Sequence, residues 1–161
     1  MNSRKVSAET ILNISYDLLC REGLASLSVK KIASKGKFST YPIYYNFATL
    51  SDLRKKTVDL LISKLREQVP VMLDQNVHDI SEAVYKFIKN KPGLIKSFFA
   101  DHKFYMYFNN KILALFADTG IEPIELRINL AIIFSSAMFL HQYPATKTTH
   151  ILRQVRKISV A

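Results

Sequence analysis

The sequence has no tryptophan, one cysteine and only four glycines among 161 residues, and these shortages exclude several classes of protein. A single cysteine, Cys20, cannot form an internal disulfide, and a reduced thiol is typical of the cytoplasm, where we expect this protein. Its apolar neighbours Leu18 and Leu19 indicate a thiol in the core and not a nucleophile. No two glycines lie in a loop motif, so a glycine-rich phosphate-binding loop is excluded.

Histidines are few and scattered, which argues against a metal site or an acid–base pair. No two of them stand at the spacing of metal ligands, and an acidic neighbour such as Asp101 beside His102 would not face the histidine on a helix. We therefore expect no metal, no cofactor and no enzymatic activity. A small helical enzyme stays the rival class, and it would need a convergent polar constellation that the sequence does not show.

Long hydrophobic segments are also missing. The most apolar window runs from Ile128 to Leu140 and is interrupted by Asn129 and two serines. It is too short to cross a bilayer and indicates a buried or interface helix. Arg4 and Lys5 are followed by polar residues where a targeting segment would be apolar, so we expect no targeting segment and no membrane partner.

What the sequence does have is a large apolar fraction and an uneven positive charge. Hydrophobic residues make up 48% of the chain, enough for one domain, or for a small domain fused to a second. The few prolines and the runs of Leu, Ile, Lys and Phe favour an all-α protein. Residues 1–66 hold 12 Lys and Arg against 5 Asp and Glu, whereas residues 67–161 hold 11 against 8. This basic excess in the first part is typical of a nucleic-acid binder.

Residues 39–47 predict a short helix with an unusual outer face. Ser39 is placed to cap it, and Pro42 falls in the first turn, where its missing N–H costs little. Ile43 and Phe47 are four apart and can both face inward. The residues left outside are mostly aromatic hydroxyls set among lysines, which suits a duplex groove: Thr40, Tyr41, Tyr44 and Tyr45. The alternative is that these tyrosines pack on a neighbouring domain.

The preceding residues predict the rest of a helix-turn-helix. Ser7 is placed to cap a first helix, which Gly23 ends in a left-handed turn. Ser28 then caps a short second helix, and Gly36 and Lys37 form the turn into the next one. Two short helices joined by a tight turn that contains glycine are typical of a helix-turn-helix, whose second helix enters the major groove. Thr49 is placed to cap a fourth helix.

Residues 4–53 resemble the DNA-binding domain of the TetR family of bacterial transcriptional regulators. The matching residues, in the family's order and spacing, are Ile11-Leu12, Leu18-Leu19, Gly23, Leu27-Ser28-Val29, Ile32-Ala33, Ser39, Ile43-Tyr44, Phe47 and Leu53. Two positions depart from the family pattern. Lys37 stands where glycine is usual, and Leu50 replaces a lysine, so that Lys55 or Lys56 would have to supply that phosphate contact.

The resemblance implies a DNA-binding domain at residues 1–53 and a short helical regulatory and dimerisation domain at residues 54–161. It implies a homodimer bound to double-stranded operator DNA, acting as a ligand-responsive repressor. Ser39 begins the DNA-contacting stretch, and Thr40, Tyr41 and Tyr45 are our candidates for base contacts. Candidates for phosphate contacts are Ser28, Lys30, Lys37, Tyr44, Asn46 and Lys55.

Aromatic residues gather in the second part of the chain, and two interpretations stay open. They are either a packed core or the walls of a pocket for an apolar small-molecule effector. The candidate pocket residues are Phe98, Tyr105, Phe108 and Phe134. A TetR-like activator or adaptor with no pocket, controlled by a partner protein, is the functional alternative.

The apolar window 128–140 also predicts how two chains would meet. A helix that is apolar all round must be covered on every side. The helix predicted at the end of the chain, near residues 151–158, can cover only one stripe of it. We therefore expect a homodimer built mainly from residues 123–158, with a four-helix bundle at the interface. Its expected central residues are Phe134, Met138, Leu152 and Val155.

Overall fold

The computed structural model describes residues 6–68, 77–117 and 120–142. Over these ranges the chain is helical and contains no strand, which confirms the all-α class. The α-helices are α1 (Ala8–Glu22), α2 (Val29–Gly36), α3 (Tyr41–Asn46), α4 (Leu50–Gln68), α5 (Val77–Ile88), α6 (Pro92–Ala100), α7 (His102–Leu115) and α8 (Pro123–Gln142). A short 3-10 turn, Leu24–Ser26, follows α1. None of the described helices combines the length and apolar character needed to cross a membrane.

Side-chain caps begin several of these helices where the sequence predicts them. Ser7 Oγ accepts a hydrogen bond from the Thr10 amide at 3.1 Å, and Ser28 Oγ accepts one from the Lys31 amide at 3.3 Å. Thr49 Oγ1 accepts from the Asp52 amide at 3.0 Å. Each hydroxyl satisfies an amide that the first turn of a helix leaves without a partner. These three predicted caps are confirmed.

The predicted cap at Ser39 is wrong. Helix α3 begins at Tyr41, and its N-cap residue is Thr40, which makes no side-chain capping bond. Thr40 has helical dihedral angles, and its carbonyl accepts the Ile43 amide at 3.1 Å. Pro42 has no N–H to offer a cap, so a serine hydroxyl gains little at this start. The backbone turn therefore closes without one.

Two packed regions meet along the chain. In the first, α1 packs against α2, α3 and α4, and in the second, α5, α6 and α7 pack against α8. Helix α4 packs in both regions. It contacts α1 in the first region, where Leu53 is buried, and it contacts α5 and α7 in the second. The predicted domain boundary between residues 53 and 54 therefore falls inside a continuous helix.

The turn between α2 and α3 explains why this chain has glycine at position 36 and lysine at 37. A Cβ on Gly36 would overlap the ring of Phe38, which folds back against the end of α2. Lys37 follows in the left-handed region, with φ 56°, and is the C-cap of α2. A side chain in that region costs about 1–2 kcal/mol. The Phe38 ring thus occupies the space that a side chain at residue 36 would need. The left-handed backbone conformation falls one residue later, at Lys37.

The two regions approach each other closely where α1 ends and α6 begins. Gly23 has φ 98° and donates its amide to the Leu19 carbonyl at 3.0 Å. Gly93 is buried against it, and a Cβ on Gly93 would overlap backbone atoms of Leu19, Glu22 and Gly23. Ser97 Oγ accepts the Leu24 amide and donates to the Gly93 carbonyl, both at 2.7 Å. Backbone therefore lies directly against backbone at this junction.

We predict that Gly93→Ala lowers the free energy of unfolding by about 2 kcal/mol, because rigid backbone of α1 must move to admit one methyl group. The matched control is Gly120→Ala. Gly120 has φ 76° and no atom within 4 Å of the new Cβ, so only backbone strain of about 1 kcal/mol is expected there. Urea unfolding followed by circular dichroism measures both. An unchanged midpoint for Gly93→Ala would contradict the tight contact.

Candidate nucleic-acid interface

Helix α3 presents three tyrosines to solvent. Tyr41 is 71% exposed, and Tyr44 and Tyr45 are each 65% exposed. The rings of Tyr41 and Tyr45 stack with centroids 6.2 Å apart. Beneath them, Ile43 and Phe47 are buried in the core, as predicted. The described part of the chain therefore does not cover these rings, and their hydroxyl groups face water.

Helix α3 is held at both of its sides by contacts to other elements. Asn46 Nδ2 donates to the Pro42 carbonyl at 2.7 Å and to the Val6 carbonyl at 3.4 Å, ahead of α1. The ammonium group of Lys56 lies 5.3 Å from the centre of the Phe47 ring. Since Asn46 is half-buried and spends its donors on backbone carbonyls, the structure gives it a positioning role. The expected contact between Asn46 and phosphate stays a prediction.

Helix α2 contributes an exposed basic surface. Lys30 and Lys35 are exposed, and Lys31 is paired with Glu22 at the end of α1. The hydrogen bond from Lys31 is the main cause that lowers the pKa of the Glu22 carboxyl, so this carboxylate stays charged near neutral pH. Lys37 is exposed in the turn that leads to α3. Lys31 thus joins α2 to α1, while its neighbours keep their ammonium groups in water.

The start of α4 adds further basic residues, of which Lys55 or Lys56 was expected from the sequence to contact phosphate. Lys55 is exposed, as a phosphate contact requires. Arg54 is half-buried, and its Nη2 donates to the Leu27 carbonyl at 2.9 Å, just before α2. Arg54 was missed as a site residue because its partner lies 27 residues earlier, beyond any local pattern. It ties α4 to the turn that starts the helix-turn-helix.

Ser28, Ser39, Thr40 and the tyrosines are all exposed, at the start of α2, in the turn that follows it and on α3. The base-contact candidates Thr40, Tyr41 and Tyr45 all fall on the first two turns of α3. Cys20 is buried in α1, and burial is the main cause that raises its thiol pKa, consistent with an unreactive thiol. No group of acidic, histidine or cysteine residues in the described ranges could hold a metal ion.

The four candidate pocket residues form one aromatic cluster: Phe98, Tyr105, Phe108 and Phe134. The centroid of Phe98 lies 4.9 Å from that of Phe134 and 5.1 Å from that of Phe108. Tyr105 meets Phe134 edge-on at 5.4 Å. Three of these rings are buried, and Tyr105 is half-buried. The rings therefore fill one another's space, and a ligand could enter only by displacing one of them.

Helix α8 has one covered face and one open apolar face. Its open face carries Ile124, Ile128 and Phe139, which are 64%, 53% and 46% exposed and stand at helical spacing. Phe134 points the other way and is 1% exposed inside the aromatic cluster. The expected place of Phe134 at the centre of a dimer interface is thereby corrected. The side chain of Met138, and residues Leu152 and Val155, lie outside the described residues.

The fold was compared with those of known proteins. No protein-family model matches the chain, and no curated protein is similar to it in sequence. Among solved structures, the chain is similar to the multidrug binding protein EbrR complexed with imidazole, with a TM-score of 0.63 and 14% identity. The match covers 96% of this chain and 92% of that one. The chain therefore has the all-helical fold of EbrR, a TetR-family regulator, and the resemblance found in the sequence is confirmed at the level of the fold.

Proposed function

We propose that the protein is a transcriptional regulator that binds operator DNA through α2 and α3 as a cytoplasmic homodimer. The observation that carries this proposal is the exposed row of tyrosines on α3, placed in the more basic part of the chain. A short helix with outward hydroxyls, held from behind by buried Ile43 and Phe47, has the geometry of a recognition helix in a major groove. The fold shared with EbrR supports the same assignment.

In the proposed complex, different residues position the protein and read the sequence. Thr40, Tyr41 and Tyr45 reach base edges or the thymine methyl group, since all three are exposed, on α3 or at its N-cap. The phosphate contacts come from exposed donors that flank this helix: Ser28, Lys30, Lys37, Tyr44 and Lys55. Ser39 lies between the two sets, at the end of the turn. Charged contacts of this kind fix the register on the duplex and carry no sequence information.

We predict salt-sensitive binding to a pseudo-palindromic duplex, because each lysine–phosphate contact releases counterions. Lys30→Ala should weaken binding to every duplex alike and reduce the slope of log K against log salt by about 1. Tyr41→Ala should instead reduce the preference for the operator by about tenfold and leave the slope unchanged. Fluorescence anisotropy at several salt concentrations, with operator and scrambled duplexes, measures both quantities.

The matched control for these variants is Lys89→Ala, an exposed lysine at the end of α5, in the second region of the fold. Its affinity and salt slope should equal those of the wild type. If Lys89→Ala and Lys30→Ala weaken binding equally, the attraction is a general effect of net charge. DNA binding without any salt dependence would overturn the proposed surface.

The homodimer is proposed from the open face of α8. Ile124, Ile128 and Phe139 lie on one side of this helix, and the small residues Ala131 and Ser135 lie between them on the same side. A second copy related by a two-fold axis would bury this stripe against itself, and such an interface is self-complementary. Two copies can then present their α3 helices about 34–36 Å apart, one turn of duplex.

We predict that Ile128→Asp converts the dimer to a monomer at micromolar concentration, because each protomer would bury an unpaired carboxylate in the interface. Operator affinity should fall at least tenfold, since one half-site then binds alone. Lys103→Asp, an equally drastic change at an exposed position of α7, should leave the dimer intact. Sedimentation velocity measures the assembly state. A wild-type monomer, or a dimeric Ile128→Asp variant, would exclude this interface.

Regulation is proposed to act on the second region of the fold, through either of two routes. An apolar effector would displace Tyr105, the half-buried member of the aromatic cluster, while a partner protein would leave the packed rings in place. Either route changes DNA affinity only if the regulator binds the two states differently.

We predict that imidazole, the compound bound in the EbrR structure, shifts the aromatic NMR signals of Tyr105 and its neighbours in a saturable titration. The physical reason is that a small planar ring can replace Tyr105 against Phe134. Signals of Tyr16, which lies on α1 beneath Lys64, serve as the internal control and should not move. Shifts confined to residues outside the cluster would establish the rings as core and favour control by a partner protein.

A further inference from the structure

A charged cleft lies at the junction of the two regions, away from the tyrosines of α3 and from the aromatic cluster. It has a volume of about 880 Å³ and is lined by the end of α1, the 3-10 turn, the first turns of α2 and α4, and the outer side of α6. This volume falls within the range of small-molecule sites, which is about 300–1,000 Å³. Neither the DNA surface nor the dimer face accounts for it.

Six charged side chains line this cleft, and cations outnumber carboxylates by four to two: Arg21, Lys31, Arg54 and Lys96 against Glu22 and Asp101. Both carboxylates are already engaged. Glu22 is paired with Lys31, and Asp101 caps α7 by accepting the Phe104 amide at 3.0 Å. Within the described residues, Arg21, Arg54 and Lys96 line the cleft and form no salt bridge with a carboxylate, although Lys96 contributes to the lowered pKa of Glu22.

Arg54 lines the cleft and is only partly paired within the protein. Its Nη2 is bonded to the Leu27 carbonyl, yet its Nε–H is buried and has no acceptor in the described structure. Leaving such a charged donor unsatisfied costs more than leaving a neutral one. A guanidinium presents its donors in a rigid fork that matches the oxygens of a phosphate group.

We propose that this cleft binds a small molecule that carries a phosphate group, held by Arg54, Arg21 and Lys96. A phosphate monoester at pH 7 carries a charge of roughly −1.5 to −2, which balances the net charge of the lining residues. The cleft is much larger than a phosphate group, so the rest of the ligand occupies the space along α6. Such a ligand joins α1, α4 and α6, and its binding does not require that the protein bind DNA.

Titration calorimetry with pyrophosphate, at constant ionic strength, tests this assignment. The wild type should bind one pyrophosphate per chain in a saturable manner. The double variant Arg21→Gln/Lys96→Gln should bind about tenfold more weakly, since two charged donors are lost. Both positions are exposed, so the variant should remain folded, which circular dichroism checks. Arg54 is left intact because its bond to Leu27 also supports the fold.

The matched control is Lys30→Gln/Lys37→Gln, which removes the same charge from the DNA surface. Its pyrophosphate affinity should stay within twofold of the wild type, although its DNA affinity should fall. If this control loses as much pyrophosphate affinity as the cleft variant, binding is a general effect of positive charge and the site is excluded. Absence of saturable binding to the wild type, or equally tight binding of succinate, would also overturn the assignment to phosphate.

Discussion

The direct contact between the end of α1 and the start of α6 is the constraint on which the rest of the structure depends. Gly23 and Gly93 let two backbones meet with no side chain between them. Ser97 bonds to the backbone on both sides of this contact, since it accepts the Leu24 amide and donates to the Gly93 carbonyl. Glycine is required on each side for a different reason. Gly23 supplies a left-handed turn, whereas Gly93 supplies space. This contact sets where α1 ends, and therefore where α2 and α3 begin.

A second connection runs between α4 and α7 and is polar. Tyr107 donates its hydroxyl to Asp59 at 2.8 Å, and Lys111 approaches the same carboxylate at 3.5 Å. Burial, followed by the bond to Asp59, raises the pKa of the Tyr107 hydroxyl, so Tyr107 remains a donor near neutral pH. The helix-turn-helix is thus joined to the second region at two places, one through α1 and one through α4. A ligand or partner that shifts α6 or α7 acts directly on the helices that support α3.

The elements that could be predicted from the sequence are those set by local hydrogen bonds and spacing. Ser7, Ser28 and Thr49 cap their helices because their partners lie three residues away, and Gly23 ends α1 for a reason that is also local. Ser39 does not cap α3 because the helix begins one residue later than expected, with Thr40 as its N-cap residue. Gly93 could not be assigned, since the backbone it touches lies about 70 residues earlier in the chain.

In the candidate site, prediction from the sequence succeeded or failed according to whether the inner face of a helix could be recognised. On α3, two apolar residues four apart leave no doubt about the inner side, so the outward tyrosines follow from the sequence. On α8 apolar residues lie on every side, so their periodicity cannot show which side packs against the rest of the same chain and which side stays open. Phe134 was therefore expected at an interface, although it packs against Phe98 and Phe108. The hydrogen bond of Asn46 could not be predicted either, because its partner Val6 lies forty residues earlier in the chain.

The exposed tyrosines are best understood by asking what stabilises α3. A helix of six residues is far too short to be stable alone, because its nucleation is costly. Ile43, Phe47 and Asn46 hold it in place from behind, and those contacts are complete without the tyrosines. Three aromatic rings that remain about two-thirds exposed contribute little to folding, yet they occupy most of the outer surface of this helix. Their chemistry is therefore available to a partner, and the lysines around them favour one that is negatively charged.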